Sequence, residues 1–101
     1  MKQYFVYILL CSDNSYYTGV TNNIERRLYE HENGLNSESY TCKRRPVKLV
    51  FQEVFTEITQ AMAFEKQVKG WNRKNREAII GGDWDLLPEL SVRKNNTGGT
   101  V

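Results

Sequence analysis

A chain of 101 residues, 40% hydrophobic and 26% charged, has room for one domain around one modest core, so a second catalytic or DNA-anchoring domain is not expected. No apolar run approaches the ~20 residues of a membrane helix, and Met1-Lys2-Gln3 leads into a strand pattern without signal-peptide features, so a cytosolic protein is expected. The net charge is only +2, yet between Lys43 and Arg76 nine basic residues meet Glu53, Glu57 and Glu65, a local charge of +6. Such an imbalance suits a polyanionic partner, and equally a basic face that is merely solvated.

Taken in order, Phe5, Tyr7 and Leu9 alternate with Val6, Ile8 and Leu10 up to the polar cluster Ser12-Asp13-Asn14-Ser15. A tyrosine-rich run follows. This is the pattern of a β-hairpin, and it puts Tyr7 and Tyr17 on neighbouring strands. A helix comes next, with Asn22 as its cap, Glu25 reaching back to it, and Gly34 as its end. At about 100° per residue, Ile24, Arg27, Leu28 and His31 share one side, while Arg26 and Glu30 form a solvent-side pair on the other.

Residues 35–46 read as a loop closed by Pro46, carrying Tyr40, Lys43, Arg44 and Arg45. That mix can follow a phosphate backbone and stack on a base; alternatively, the tyrosine simply packs on the core. From Val47 to Phe55 the alternation of Val47, Leu49 and Phe51 against Lys48, Val50 and Gln52 predicts a third strand with one buried face. Thr56 and Thr59 offer caps for a helix from Gln60 to Trp71, where Ala61, Phe64, Val68 and Trp71 make the apolar stripe and Glu65 lies at its border. Gly70 and Asn72 interrupt that helix, and a shorter one is expected from Arg73 to Ile80, ended by Gly81-Gly82. Residues 1–82 should then be the domain and 83–101 a largely disordered tail with a brief packed segment at 83–88. Cys11 and Cys42 show neither zinc spacing nor a disulfide framework and are expected as buried free thiols. The predicted class is α+β, a small three-stranded antiparallel sheet flanked by helices in the order β-β-α-β-α-α.

Val6-Tyr7, then Tyr17-Thr18-Gly19, then Arg27 and His31 in the following helix resemble the opening of a GIY-YIG nuclease domain. Arg44-Arg45-Pro46-Val47-Lys48-Leu49-Val50 and Glu65-Lys66-Gln67-Val68-Lys69-Gly70-Trp71 resemble its small stand-alone bacterial branch, similar to the amino-terminal nuclease domain of the UvrC repair protein. The resemblance spans roughly residues 3–82. Phe5 stands in place of the leading glycine and Thr18 in place of the middle isoleucine, changes that remove no reactive group.

Hydrolysing a phosphodiester needs a water, a group to take its proton, and positive charge for the phosphoryl oxygens. The resemblance implies catalytic roles for Tyr7, Tyr17, Arg27 and His31 and a metal-ligand role for Glu65. Tyr17 would be the base or would position the water, which for a phenol near neutrality requires nearby cations. Arg27 suits two phosphoryl oxygens, His31 can relay a proton, and Tyr7 would orient the water or the other phenol. One Mg²⁺ or Mn²⁺ is implied, since such a cation accepts one or two carboxylates and keeps positions for water and phosphate. The family's late asparagine is left unassigned between Asn72 and Asn75. Lys43, Arg44, Arg45, Lys69, Arg73 and Lys74 are the candidate nucleic-acid contacts, the expected partner being branched, single-stranded or damaged DNA.

Each residue also has a plain structural role open to it. Glu65 and Lys69 are spaced as an ordinary helix pair, strand tyrosines pack, and a histidine near a helix end can serve the dipole. The competing functions are a nucleic-acid-binding module that keeps the nuclease fold with little activity, and a protein-interaction domain.

Overall fold

The computed structural model describes residues 2–82, so the expectations for the tail lie outside the described residues. The elements are β1 (Tyr4–Leu10), β2 (Tyr16–Thr21), α1 (Ile24–Asn33), β3 (Lys48–Phe55), α2 (Ile58–Lys69) and α3 (Arg73–Ile80), with a short 3-10 turn at Cys42–Arg44 inside the predicted loop. They fall into two compact units, one through Lys69 and one from Gly70 onward. The fold is α+β, with the predicted element order.

In the first unit an antiparallel sheet of order β2-β1-β3 puts the most apolar strand at its centre. Val6, Tyr7, Ile8 and Leu9 are all essentially inaccessible, as a strand covered on both faces must be. The register pairs Tyr7 with Gly19 and Leu9 with Tyr17, as the hairpin pattern requires. Tyr7, Leu9, Cys11 and Val47 form one core cluster, closed by Tyr17, Ile24, Leu28 and Leu49. The α1 stripe of Ile24 and Leu28 thus covers the face that carries both tyrosines. On the other face Phe64 of α2 packs its ring 5.5 Å from Phe55 and 6.4 Å from Phe51.

One expectation for β3 is corrected. Ile8 pairs with Phe51, but Leu9 pairs with Leu49, so the register passes over Val50. A bulge of this kind inverts the alternation beyond it. Phe51 therefore faces α2, while Leu49 and Val47 turn to the tyrosine face, rather than all three sharing one side.

The helix ends also have local causes. Asn23, not Asn22, caps α1, accepting from the Arg26 amide at 3.0 Å, because the Thr21 hydroxyl accepts from the Asn23 amide and fixes the entry of the chain. Gly34 ends α1 in the left-handed region at φ 61°, where glycine alone escapes a Cβ clash. α2 starts at Ile58, which leaves Thr59 inside the helix, and buries Ala61, Phe64 and Val68 as its stripe. Within the second unit Trp71 is buried although it follows the end of α2. Asn72 caps α3, accepting from the Asn75 amide at 2.9 Å, so its side chain already serves a structural end. Cys11 and Cys42 are both free thiols; Cys11 is buried, but Cys42, also expected inside, is only half-buried.

Candidate active site

Tyr7 leans across Gly19 on the neighbouring strand. A Cβ there would stand 2.5 Å from the Tyr7 hydroxyl oxygen, so the glycine is what gives that ring its place. The phenol, 1% exposed, ends 3.0 Å from Nε2 of His31, one of the two polar side chains that α1 turns toward the sheet. Nδ1 of His31 lies 2.7 Å from Oγ1 of Thr41, which is itself buried and 3.1 Å from Oγ of Ser39. Three hydroxyls and an imidazole therefore form one chain from the centre of the sheet out to the 35–45 loop.

Tyr17 holds the middle of an aromatic group. Its ring centroid is 5.1 Å from His31, 6.3 Å from Tyr7 and 6.0 Å from Tyr40, the last nearly parallel at 23°. Tyr40 is covered in turn by Arg44, whose guanidinium carbon lies 3.8 Å from its ring centroid. Arg44 is fixed by Asp13 of the hairpin turn at 3.0 Å and donates to the Tyr40 carbonyl at 2.7 Å. Tyr40 itself stays 42% exposed, and the ring it stacks on is Tyr17.

A polar cavity of about 270 Å³ opens here, lined by Tyr17, Arg27, Glu30 and His31 on one side and by Ser39 and Thr41 of the loop on the other. Tyr7 does not line it and reaches it only through His31. Arg27 is half-buried rather than fully inward, because Glu30, three residues on, holds its Nε at 3.3 Å. Glu30 also pairs with Arg26 at 3.6 Å, so the expected solvent-side pair exists but its carboxylate is shared with the cavity wall.

The electrostatics follow from burial. Desolvation, with the nearby Tyr17 adding to it, pushes the Tyr7 phenol up to about 12, although a hydrogen bond from Arg27 pulls the other way. Burial first, then the Arg27 charge, holds His31 below its ordinary range against the opposing pull of Glu30. At neutral pH Tyr7 is thus a phenol and His31 a neutral ring.

Glu65, on α2, has a mostly enclosed side chain, 17% exposed, with an oxygen 2.7 Å from Nζ of Lys69. The ordinary helix pair therefore forms. The hydrogen bond to Glu65, and then its charge, hold Lys69 protonated above its usual range. Glu65 is not part of the cavity lining. Among the described residues no three His, Cys, Asp or Glu side chains converge as a metal cage.

The candidate nucleic-acid contacts differ in how free they are. Lys43 and Lys74 are exposed; Arg45 is exposed and donates from Nε to the Cys42 carbonyl. Arg44 is tied to Asp13, Lys69 to Glu65, and Arg73 to Glu77 at 3.0 Å. Arg73 and Lys74 belong to the second unit.

The hairpin thus sets two phenols beside an arginine and a histidine from the next helix. The chain belongs to the GIY-YIG family, whose catalytic-domain model matches residues 3–78. It is 42% identical over 80 residues to the UPF0213 protein SH2523 of Staphylococcus haemolyticus, covering 79% of this chain and 96% of that one. Two solution NMR structures share the fold. The UPF0213 protein BH0048 of Bacillus halodurans has a TM-score of 0.52 at 34% identity, over 91% of this chain and 95% of that one. The protein EF2693 of E. faecalis has a TM-score of 0.58 at 36% identity, over 80% and 85%. Among the described residues no helix is long and apolar enough to cross a membrane.

Thr41 and Glu30 were not reached as site residues from the sequence. Glu30 had a signal in its spacing of three from Arg27, which permits a pair on one helix face. Thr41 had none, because nothing periodic ties a loop hydroxyl to a ring ten residues earlier.

Proposed function

We propose that this chain is a metal-dependent endonuclease that hydrolyses DNA phosphodiester bonds, acting in the cytoplasm on branched, single-stranded or damaged DNA during repair or recombination. The observation that supports it is the convergence of Tyr17, Arg27 and His31 on one polar cavity. Tyr17 lines the cavity, and its hydroxyl orients the attacking water and receives its proton. Arg27 offers its guanidinium to the phosphoryl oxygens as charge builds on them. Tyr7, sealed behind His31, acts by holding that ring rather than by touching water. A divalent cation held by Glu65 would supply further positive charge to the phosphate.

The test is incubation of the purified protein with a panel of DNA forms plus Mg²⁺, Mn²⁺ or chelator. Nicking is expected with either ion and none with chelator. Arg27→Ala, Tyr17→Phe and Glu65→Ala should each lower the rate by at least ~10²-fold, with circular dichroism unchanged. Full activity in Glu65→Ala would remove the metal assignment.

The Lys69–Glu65 pair favours a second reading, a nucleic-acid-binding module of low turnover, since an ammonium already sits on the one candidate ligand. Salt-sensitive binding without cleavage under any metal condition would select it.

A further inference from the structure

The hydroxyl chain behind the cavity has a direction, which can be found by counting donors. A tyrosine hydroxyl has one proton to donate. Tyr7 is 1% exposed, so that proton needs an acceptor within the protein. The hydrogen-bond partner of the buried Tyr7 hydroxyl is Nε2 of His31, at 3.0 Å. Nε2 must therefore be the acceptor, and in a neutral imidazole the proton is then on Nδ1. Nδ1 faces Oγ1 of Thr41 at 2.7 Å.

We propose that Thr41 is a positioning residue for the reaction: its hydroxyl oxygen receives the Nδ1 proton of His31 and fixes the ring in the one tautomer that can hold the Tyr7 hydroxyl. This rests on the nuclease reading above. The hydroxyl of Thr41 then passes its own proton to Oγ of Ser39, 3.1 Å away on the cavity wall. Every donor from Tyr7 to Thr41 is thereby matched with an acceptor, and no buried side-chain polar atom among the described residues lacks a partner. In the opposite tautomer Nε2–H would donate to Tyr7, and the buried phenol proton would have nowhere to go. That conflict costs a buried hydrogen bond, and its relief would turn the imidazole from its place beside Tyr17 on the cavity wall. The burial that keeps His31 neutral supports the same state, because an imidazolium would donate from both nitrogens.

His31 is the chain's single histidine, so ¹⁵N-histidine labelling gives one pair of ring resonances. In the wild type the shifts should identify Nδ1 as the protonated nitrogen at neutral pH. Thr41→Val, of the same shape but with no acceptor, should shift the ring to the Nε2–H form or a mixture. Its kcat for DNA nicking should fall on the order of 10²-fold, more than KM changes. Thr41→Ser, which keeps the hydroxyl, should restore both the shifts and the rate, which a role in packing the threonine methyl would not allow. An Nε2–H ring in the wild type, unchanged shifts in Thr41→Val, or unchanged kcat in that variant would each overturn the proposal. If the wild type cuts no DNA while the Thr41→Val shifts change as described, the nuclease reading fails, and with it the catalytic part of this role, whereas the tautomer assignment stands.

Discussion

Tyr7 and His31 titrate away from their ordinary ranges in opposite directions, and each leaves its own mark on stability. The Tyr7 phenol is raised to about 12 by burial, against about 10 for an unfolded tyrosine. The folded state thus keeps a proton that the unfolded chain releases, and stability should be complete below about pH 10 and lost as pH rises through about 12. His31 is lowered by burial, so the unfolded chain binds the proton first. Its contribution should be complete above about pH 6.5 and decline as pH falls toward the lower folded value. Urea unfolding across pH should show both limbs, with Tyr7→Phe removing the alkaline one and leaving the acid one in place. Arg27 and His31 were legible beforehand because helical phase alone puts them beside Ile24 and Leu28. Thr41 was not, since its role depends on where a loop folds back, and loop positions carry no period.

For the elements, the close packing of β1 on β2 makes Gly19 the most sensitive position. Gly19→Ala would drive a methyl into the Tyr7 ring, 2.5 Å from its oxygen and 2.6 Å from its nearest ring carbon. The expected cost is about 1–3 kcal/mol, read as a lower denaturation midpoint, together with a perturbed His31 ring signal. The hairpin, α1 and α3 could be read from pattern and punctuation because each is bounded by polar turns, a cap or glycine. The bulge in β3 could not, because Val47-Lys48-Leu49-Val50-Phe51 satisfies a regular alternation just as well. Only the need to turn both Phe51 toward Phe64 and Leu49 toward Leu9 selects the irregular register. The cap moved by one residue for a similar reason, since Asn22 and Asn23 are chemically equivalent until Thr21 chooses between them.

For the molecule as a whole, the basic segment is less available than its sequence charge suggests, because Arg44, Lys69 and Arg73 each have a carboxylate partner. Nucleic-acid binding, measured by fluorescence anisotropy between about 50 and 200 mM salt, should therefore depend most on exposed Lys43 and Arg45. Lys43→Ala is expected to reduce the salt slope on duplex DNA by about 1, whereas Lys69→Ala should change it less. The two sides of the cavity also differ in how they are held. Tyr17 and the ring of His31 rest against a sheet whose middle strand is hydrogen-bonded on both flanks, while the opposite side is a loop held by buried Thr41 against His31 and by the exposed Asp13–Arg44 pair. One wall is built from sheet and helix, the other from a single loop. On the nuclease reading, substitutions in residues 35–45 would therefore alter the width of the mouth, while the alignment of Tyr17, Arg27 and His31 stayed with the strand and helix that carry them.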